Sequence, residues 1–126
     1  MSSTKKKIGI QLPRQANPEE VAIRYSLELE ALEPVAQIIE VAAQTPEEFA
    51  NGVKHMDGII TSWGFQIDAA LIEQLENCVV IGVGSVGVDM VDIEAATRAG
   101  IVVTNVPDVF IEEVADHAMM MLLGCA

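Results

Sequence analysis

Five short apolar runs, separated by segments that carry helix-start signals, constrain the fold of this chain more than any other feature. The runs cover residues 8–12, 35–43, 57–62, 78–83 and 101–104. Near-continuous apolar strands that alternate with helices are typical of a parallel sheet whose two faces are both covered. We therefore predict an α/β fold, a doubly wound five-stranded parallel sheet with helices on both faces.

The helix-start signals combine a capping residue, a proline at the first helical position and acidic residues in the first turn. They occur at Asn17-Pro18-Glu19-Glu20 and again at Thr45-Pro46-Glu47-Glu48. We expect the first of these helices to end at Pro34 and the second near Gly52. The remaining predicted helices cover residues 68–75, 92–100 and 112–126.

Composition limits the class of protein. At 126 residues and 13.5 kDa, with 51% hydrophobic residues, the chain is large enough for one packed domain. The net charge of −12 argues against nucleic acid and against an anionic membrane surface, because both attract basic proteins. We expect a cytoplasmic protein, since the lysine-rich start does not form a signal peptide and no apolar run approaches the ~18 residues that span a membrane. Cys78 and Cys125 are predicted to be two buried thiols rather than a disulfide.

The last predicted helix ends in an apolar stretch, AMMMLLGCA, at residues 118–126. A helix that is apolar all round is normally covered by other parts of a protein. We expect this helix to continue into, or to dock on, something that these 126 residues do not contain. The alternative is a C-terminal helix buried within this chain.

The apolar run at residues 78–83 leads into Gly82-x-Gly84-x-x-Gly87, which matches the fingerprint of a dinucleotide-binding loop. Three features disagree with that interpretation. The unit follows three earlier strand–helix units, whereas in nucleotide-binding domains it usually comes first. The acid that would bind the ribose hydroxyl, expected ~20 residues later, is replaced by Thr104 and Asn105. The signals for the start of the next helix appear only at Asp92 rather than directly after the loop. We favour a loop whose backbone amides hold a small anion; a small nucleotide-binding domain remains an alternative.

Two segments carry a specific resemblance. Residues 84–107, GSVGVDMVDIEAATRAGIVVTNVP, and residues 113–118, EVADHA, closely resemble the D-isomer-specific 2-hydroxyacid dehydrogenases. That family includes glyoxylate/hydroxypyruvate reductases, phosphoglycerate dehydrogenases and formate dehydrogenases. The resemblance implies a flavodoxin-like sheet in which residues 1–107 form the substrate-binding lobe. Residues 108–126 would then be the crossing segment and the start of the helix that leads to a nucleotide-binding lobe absent from this chain.

The resemblance also implies a function and a set of binding residues. Family members interconvert a D-2-hydroxy acid and its 2-keto acid, with NAD or NADP bound mainly by the nucleotide-binding lobe, and they are commonly homodimers when full length. The backbone amides of Ser85, Val86 and Gly87 are expected to face the substrate carboxylate. Ser62 and Trp63 are expected to face the substrate from the neighbouring strand end, although Trp63 alternatively packs in the core.

The family's nucleotide loop, its catalytic arginine and glutamate and its acid/base histidine have no positional match in this chain. His55 and His117 lie outside any such arrangement, and we expect His117 to be structural. We therefore predict no catalytic residues, no metal site and no activity for this chain by itself. The alternative function is a stand-alone, non-catalytic module that binds small carboxylates or dimerises through its apolar last helix.

Overall fold

A single five-stranded sheet forms the centre of the computed structural model, which describes residues 5–12 and 17–126. All strand pairs are parallel and the strand order is β2-β1-β3-β4-β5. The strands are β1 Lys6–Gln11, β2 Ala36–Val41, β3 Gly58–Thr61, β4 Val80–Val83 and β5 Val102–Thr104. The predicted fold class is confirmed, and the order reverses between β1 and β3, where the loops that leave these two strands diverge at the carboxyl edge.

In the described residues, six helices connect the strands or follow them. They are α1 Pro18–Arg24, α2 Ser26–Leu32, α3 Pro46–Val53, α4 Ala69–Ile72, α5 Ile93–Arg98 and α6 Ile111–Gly124. The side chains of Asn17, Thr45, Asp68 and Asp92 each accept a hydrogen bond from a backbone N–H in the first turn of the helix that follows. These local caps are what make the helix starts readable from the sequence.

Two helix predictions need correction. The predicted helix from Asn17 to Pro34 is interrupted at Tyr25, whose buried hydroxyl donates to the backbone oxygen of Gln11, 2.8 Å away. The predicted helix over residues 68–75 is shorter, since α4 ends at Ile72. The residues after it form hydrogen bonds of the 3₁₀ type, such as the 3.1 Å bond from the Leu75 N–H to the Ile72 oxygen.

The core consists of two clusters on opposite faces of the sheet. Ile59 and Ile60 are neighbours on β3 and point to opposite faces, as side chains of a strand must. The larger cluster lies under α3, α4 and α5 and includes Phe49, while the smaller cluster lies under α1 and includes Tyr25. Helices therefore cover both faces of the sheet.

Helix α6 differs from the other helices because every one of its residues is exposed. Leu123, for example, is 70% exposed, so the alternative of a last helix buried within this chain is wrong. Cys125, directly after this helix, is exposed and Cys78 is only partly buried, which corrects the prediction of two buried thiols; both are free, as predicted. In the described part of the chain, no helix combines the length and apolarity that crossing a membrane requires.

Asp57 joins the amino ends of β1 and β3. One carboxylate oxygen accepts a 2.7 Å hydrogen bond from Lys6 Nζ and the other a 2.9 Å bond from the Lys7 N–H. These two hydrogen bonds, of which the one from Lys6 has the larger effect, hold the pKa of the Asp57 carboxyl below its ordinary value of 3.8. The carboxylate therefore stabilises the folded state above its unfolded pKa, and that contribution is lost as the pH falls through the lowered folded pKa.

We expect Asp57→Asn to reduce the acid sensitivity of the fold. The measurement is the thermal unfolding midpoint at about pH 7 and about pH 3, and the drop between the two should be smaller in the variant than in the original chain. Asp116→Asn, at an exposed position on α6, is the control and should leave the drop unchanged. Equal drops in Asp57→Asn and the original chain would contradict the role given to this carboxylate.

Candidate functional site

Two loops meet at the carboxyl edge of the sheet, where β3 and β4 end. We call residues 62–64 the β3 turn and residues 84–87 the β4 loop. The N–H of Gly84 donates to the Thr61 oxygen at 2.8 Å, and a Cβ placed on Gly84 would lie 3.8 Å from Ser62 Cβ. The structure therefore brings the predicted residues of the two loops onto neighbouring strand ends.

Three backbone oxygens of the β4 loop accept hydrogen bonds. The Ser85 oxygen accepts from the Val106 N–H at 3.1 Å, and the Val86 oxygen from Asn105 Nδ2 at 2.7 Å. The Gly87 oxygen accepts from the hydroxyl of Ser85 at 2.8 Å. These donors come from the segment after β5 and from the loop itself, so they fix the orientation of successive peptide planes.

The amides of the same loop are oriented the other way. In a trans peptide the C=O and the following N–H point in opposite directions, so the bonds to the oxygens of Ser85 and Val86 turn the N–H groups of Val86 and Gly87 away from the segment after β5. Within residues 5–12 and 17–126, no acceptor pairs with these two N–H groups. Unpaired, pre-oriented amides on an exposed loop are a binding surface for an anion.

Asn105 is a site residue whose role sequence reasoning missed. In the sequence, Asn105 is recognisable only as the residue that stands where a nucleotide-binding domain would have an acid. In the structure its side-chain amide donates a hydrogen bond to the Val86 oxygen and so holds the β4 loop. The available signal was its position, because it directly follows β5, the strand that pairs with β4.

We expect Asn105→Ala to loosen the β4 loop. The substitution removes the donor to the Val86 oxygen, a contact worth about 1 kcal/mol. Amide hydrogen exchange and NMR relaxation of residues 85–87 should both show faster motion. The matched control is Asn51→Ala, at an exposed position on α3, which should leave the loop unchanged. If residues 85–87 stay equally ordered in Asn105→Ala, the bonds to the Ser85 and Gly87 oxygens hold the loop without Asn105.

A buried polar pair holds the β3 turn from the side of β1. The Thr61 hydroxyl donates to Gln11 Oε1, and these two side chains are only 1% and 4% exposed. A Cβ on Gly64 would lie 1.6 Å from Gln11 Nε2, so the glutamine amide occupies the space that a larger residue would need. Gln11 therefore connects β1, the end of β3 and the turn, and its contribution was not predicted.

Trp63 and Phe65 flank Gly64 and point into different environments. Trp63 is 76% exposed, so the alternative in which it packs in the core is wrong, and its ring is free to contact a ligand at this edge. Phe65 is 4% exposed and stacks on Phe49 of α3 with 5.4 Å between ring centroids. This stack anchors the turn on the face of the sheet opposite α1.

Charged groups also reach this edge. Arg24 Nη2, at the end of α1, lies 3.4 Å from Ser62 Oγ, a contact that sequence reasoning did not predict. The carboxylate of Asp89 lies next to the β4 loop, since a Cβ on Gly87 would be 2.8 Å from Asp89 Oδ2. Arg24 thus provides positive charge beside the β3 turn and Asp89 negative charge beside the β4 loop.

The two histidines lie elsewhere. His55 precedes β3, at the amino edge of the sheet, and its Nδ1 lies 2.8 Å from Glu76 Oε2, a bond that lowers the pKa of the Glu76 carboxyl. His117 is exposed on α6. Among the described residues, no group of three or more His, Cys, Asp or Glu side chains is arranged to hold a metal ion.

Comparisons with known proteins give the family. The model of the D-isomer specific 2-hydroxyacid dehydrogenase catalytic domain matches residues 18–120. The chain is 36% identical over 98 residues to a D-3-phosphoglycerate dehydrogenase of Methanocaldococcus jannaschii, covering 78% of this chain and 19% of that protein. It is 39% identical over 80 residues to a glyoxylate reductase of Pyrococcus furiosus, covering 64% and 24% respectively.

A solved structure agrees with the sequence comparisons. The NAD-dependent formate dehydrogenase of Staphylococcus aureus, in complex with NAD, superposes with a TM-score of 0.77 at 27% identity and covers 93% of this chain. This chain spans 37% of that protein, and 19% and 24% of the two curated relatives. The chain belongs to the D-isomer-specific 2-hydroxyacid dehydrogenase family, in the part that matches its catalytic domain.

Proposed function

We propose that this chain is the substrate-binding part of an NAD(P)-dependent oxidoreductase that interconverts a D-2-hydroxy acid and its 2-keto acid. In this proposal residues 1–107 are the substrate-binding lobe and residues 108–126 lead toward a nucleotide-binding lobe. The observation that carries the proposal is the β4 loop, in which the oxygens of Ser85, Val86 and Gly87 accept hydrogen bonds while the Val86 and Gly87 amides are unpaired within the described residues. The names of the relatives, a phosphoglycerate dehydrogenase and a glyoxylate reductase, support an acidic substrate.

The substrate carboxylate accepts hydrogen bonds from the amides of Ser85, Val86 and Gly87. Hydrogen bonds to a charged acceptor are stronger than neutral ones, and fixed amides need no reorganisation when the anion arrives. Local amide donors are needed for such a ligand, because the net charge of −12 makes the overall field of the chain repulsive toward anions. Ser62 and the exposed ring of Trp63 contact the substrate from the β3 turn, so the carbonyl carbon is oriented by contacts on two sides.

The glycines of the β4 loop do not fit a dinucleotide. Helix α5 begins only at Ile93, so the loop does not lead directly into a helix N-terminus, and Asn105 uses its side-chain amide to hold the loop rather than offering an acid to a ribose. The cofactor, NAD or NADP, therefore binds mainly to the nucleotide-binding lobe in our proposal. There it supplies or accepts the hydride, and this chain positions the acid.

The test is an intact mass and a reductase assay on the native protein. We expect a mass more than twice 13.5 kDa and oxidation of NADH or NADPH with a 2-keto acid. The 126-residue chain alone should give no turnover with the same substrates. A native protein of larger mass that reduces no 2-keto acid with either cofactor would contradict the proposal.

Helix α6 favours a second candidate function, a stand-alone module that binds small carboxylates and dimerises. Its apolar side chains are unusually open to solvent, with Met120, Leu122 and Leu123 at 59%, 65% and 70% exposure. A native mass of 13.5 kDa together with a stable dimer in sedimentation velocity would support this function. A monomer of that mass would exclude the dimer.

A further inference from the structure

Arg24 is held in a defined position beside the β3 turn. Its Nη2 lies 3.4 Å from Ser62 Oγ, and its guanidinium carbon lies 5.8 Å from the centroid of the Tyr25 ring. Tyr25 is itself fixed, since it is 5% exposed and its hydroxyl donates to the Gln11 oxygen at 2.8 Å. The guanidinium is therefore supported by a cation–π contact with a ring anchored to the sheet.

Arg24 has no acidic partner within the described residues, although the chain is strongly acidic. Lys6, Lys54 and Arg98, in contrast, each lie beside a carboxylate. A guanidinium presents a planar fork of donors that matches a phosphate or a carboxylate in two-point contact. The charge and most donors of Arg24 thus remain available to a ligand at the carboxyl edge of the sheet.

Ser62 lies between Arg24 and the β4 loop, because a Cβ built on Gly84 would lie 3.8 Å from the Cβ of Ser62. One edge of the sheet therefore carries two anion-binding groups of different kinds, the neutral amides of the β4 loop and the guanidinium of Arg24. We propose that Arg24 binds the second anionic group of the substrate, which makes the preferred substrates 2-keto or 2-hydroxy acids with a phosphate or carboxylate at the far end. This inference rests on the proposed function, in which the first carboxylate occupies the β4 loop.

The test compares matched ligands that differ only in the second anion. Amide NMR titrations of the 126-residue chain would follow Val86 and Gly87 with D-glycerate against 3-phospho-D-glycerate, and with 2-ketobutyrate against 2-ketoglutarate. We expect the ligand with two anionic groups to bind about fivefold more tightly in at least one pair. The first pair reports a preference for phosphate and the second a preference for carboxylate.

Variants separate a specific contact from general charge attraction. Arg24→Gln should remove the preference, because it weakens binding of the ligands with two anionic groups more than binding of D-glycerate and 2-ketobutyrate. Arg24→Lys should retain part of the preference, because it keeps the charge without the planar fork. Arg98→Gln, an equal charge change on the exposed side of α5, is the control and should keep the full preference.

Two results would overturn the inference while leaving the proposed function standing. One is equal affinity within both ligand pairs in the original chain, with saturable binding at the β4 loop. The other is an equal loss of preference in Arg24→Gln and Arg98→Gln. Absence of any saturable shift at Val86 and Gly87 with all four ligands would overturn the proposed function itself, and the inference with it.

Discussion

Replacing Phe49 by alanine is expected to lower the free energy of unfolding by about 3–5 kcal/mol. Phe49 is 0% exposed, and its ring lies 5.4 Å from that of Phe65 at an interplanar angle of 23°. Truncation removes this stacked pair and leaves a cavity between α3 and the segment after the β3 turn, and the surrounding structure relaxes only in part. Urea unfolding followed by circular dichroism measures the loss.

The same substitution should reach the candidate site. Phe65 follows the β3 turn, so the loss of its stacking partner should broaden the NMR signals of Ser62 and Trp63. Phe49→Leu keeps most of the apolar volume and should lose less than about 1.5 kcal/mol, which gives a folded variant for that comparison. Ile23→Ala, at a position 78% exposed, is the control and should change stability by less than about 0.5 kcal/mol. A loss below about 1 kcal/mol in Phe49→Ala would show that the stack does not anchor the turn.

Gly64→Ala is expected to lower the free energy of unfolding by about 1–3 kcal/mol and to weaken carboxylate binding. The new Cβ would lie 1.6 Å from Gln11 Nε2 and 2.7 Å from its Cδ, so the glutamine must move. Its movement breaks the hydrogen bond from Thr61, a residue only 1% exposed, and leaves the buried threonine hydroxyl without its acceptor. Chemical denaturation and an NMR titration of the β4 loop measure the two effects.

A double-mutant cycle tests the stated cause. In a chain that already carries Gln11→Ala, the added Gly64→Ala should cost less than about 0.5 kcal/mol, because the colliding amide is gone. Gly124→Ala is the control, since no atom lies within 4 Å of the added Cβ and alanine favours the helical conformation there. Equal costs of Gly64→Ala with and without Gln11 would contradict the account of the β3 turn.

The parts of the fold that the sequence predicted are those determined by local chemistry. Each strand lies within an apolar run, and the reason is clearest for the central strand β3, which is covered on both faces and therefore needs a nearly continuous apolar stretch. The caps at Asn17, Thr45 and Asp92 mark the starts of helices because each bond spans only three residues. The interruption at Tyr25 could not be predicted, since it coincides with a contact to Gln11, 14 residues earlier in the chain.

The candidate site divides in the same way. The β4 loop was identified from its glycines after a strand, and the β3 turn from the family resemblance; their roles in binding stay predictions. The supporting contacts were missed because they join distant parts of the chain. Asn105 reaches the loop across 19 residues, Arg24 reaches Ser62 across 38, and Gln11 meets Thr61 across 50. Only the strand order brings such pairs together, and single-residue patterns do not encode it.

The most direct test of the central claim is an amide NMR titration of the 126-residue chain with glyoxylate and, separately, with NAD. The account predicts that glyoxylate shifts the Ser85, Val86 and Gly87 amide signals saturably and that the Trp63 indole signal moves with them. It predicts no comparable shift of the β4 loop with NAD. Loop signals that move with NAD and stay unchanged with glyoxylate would contradict it and would identify the loop as a nucleotide site.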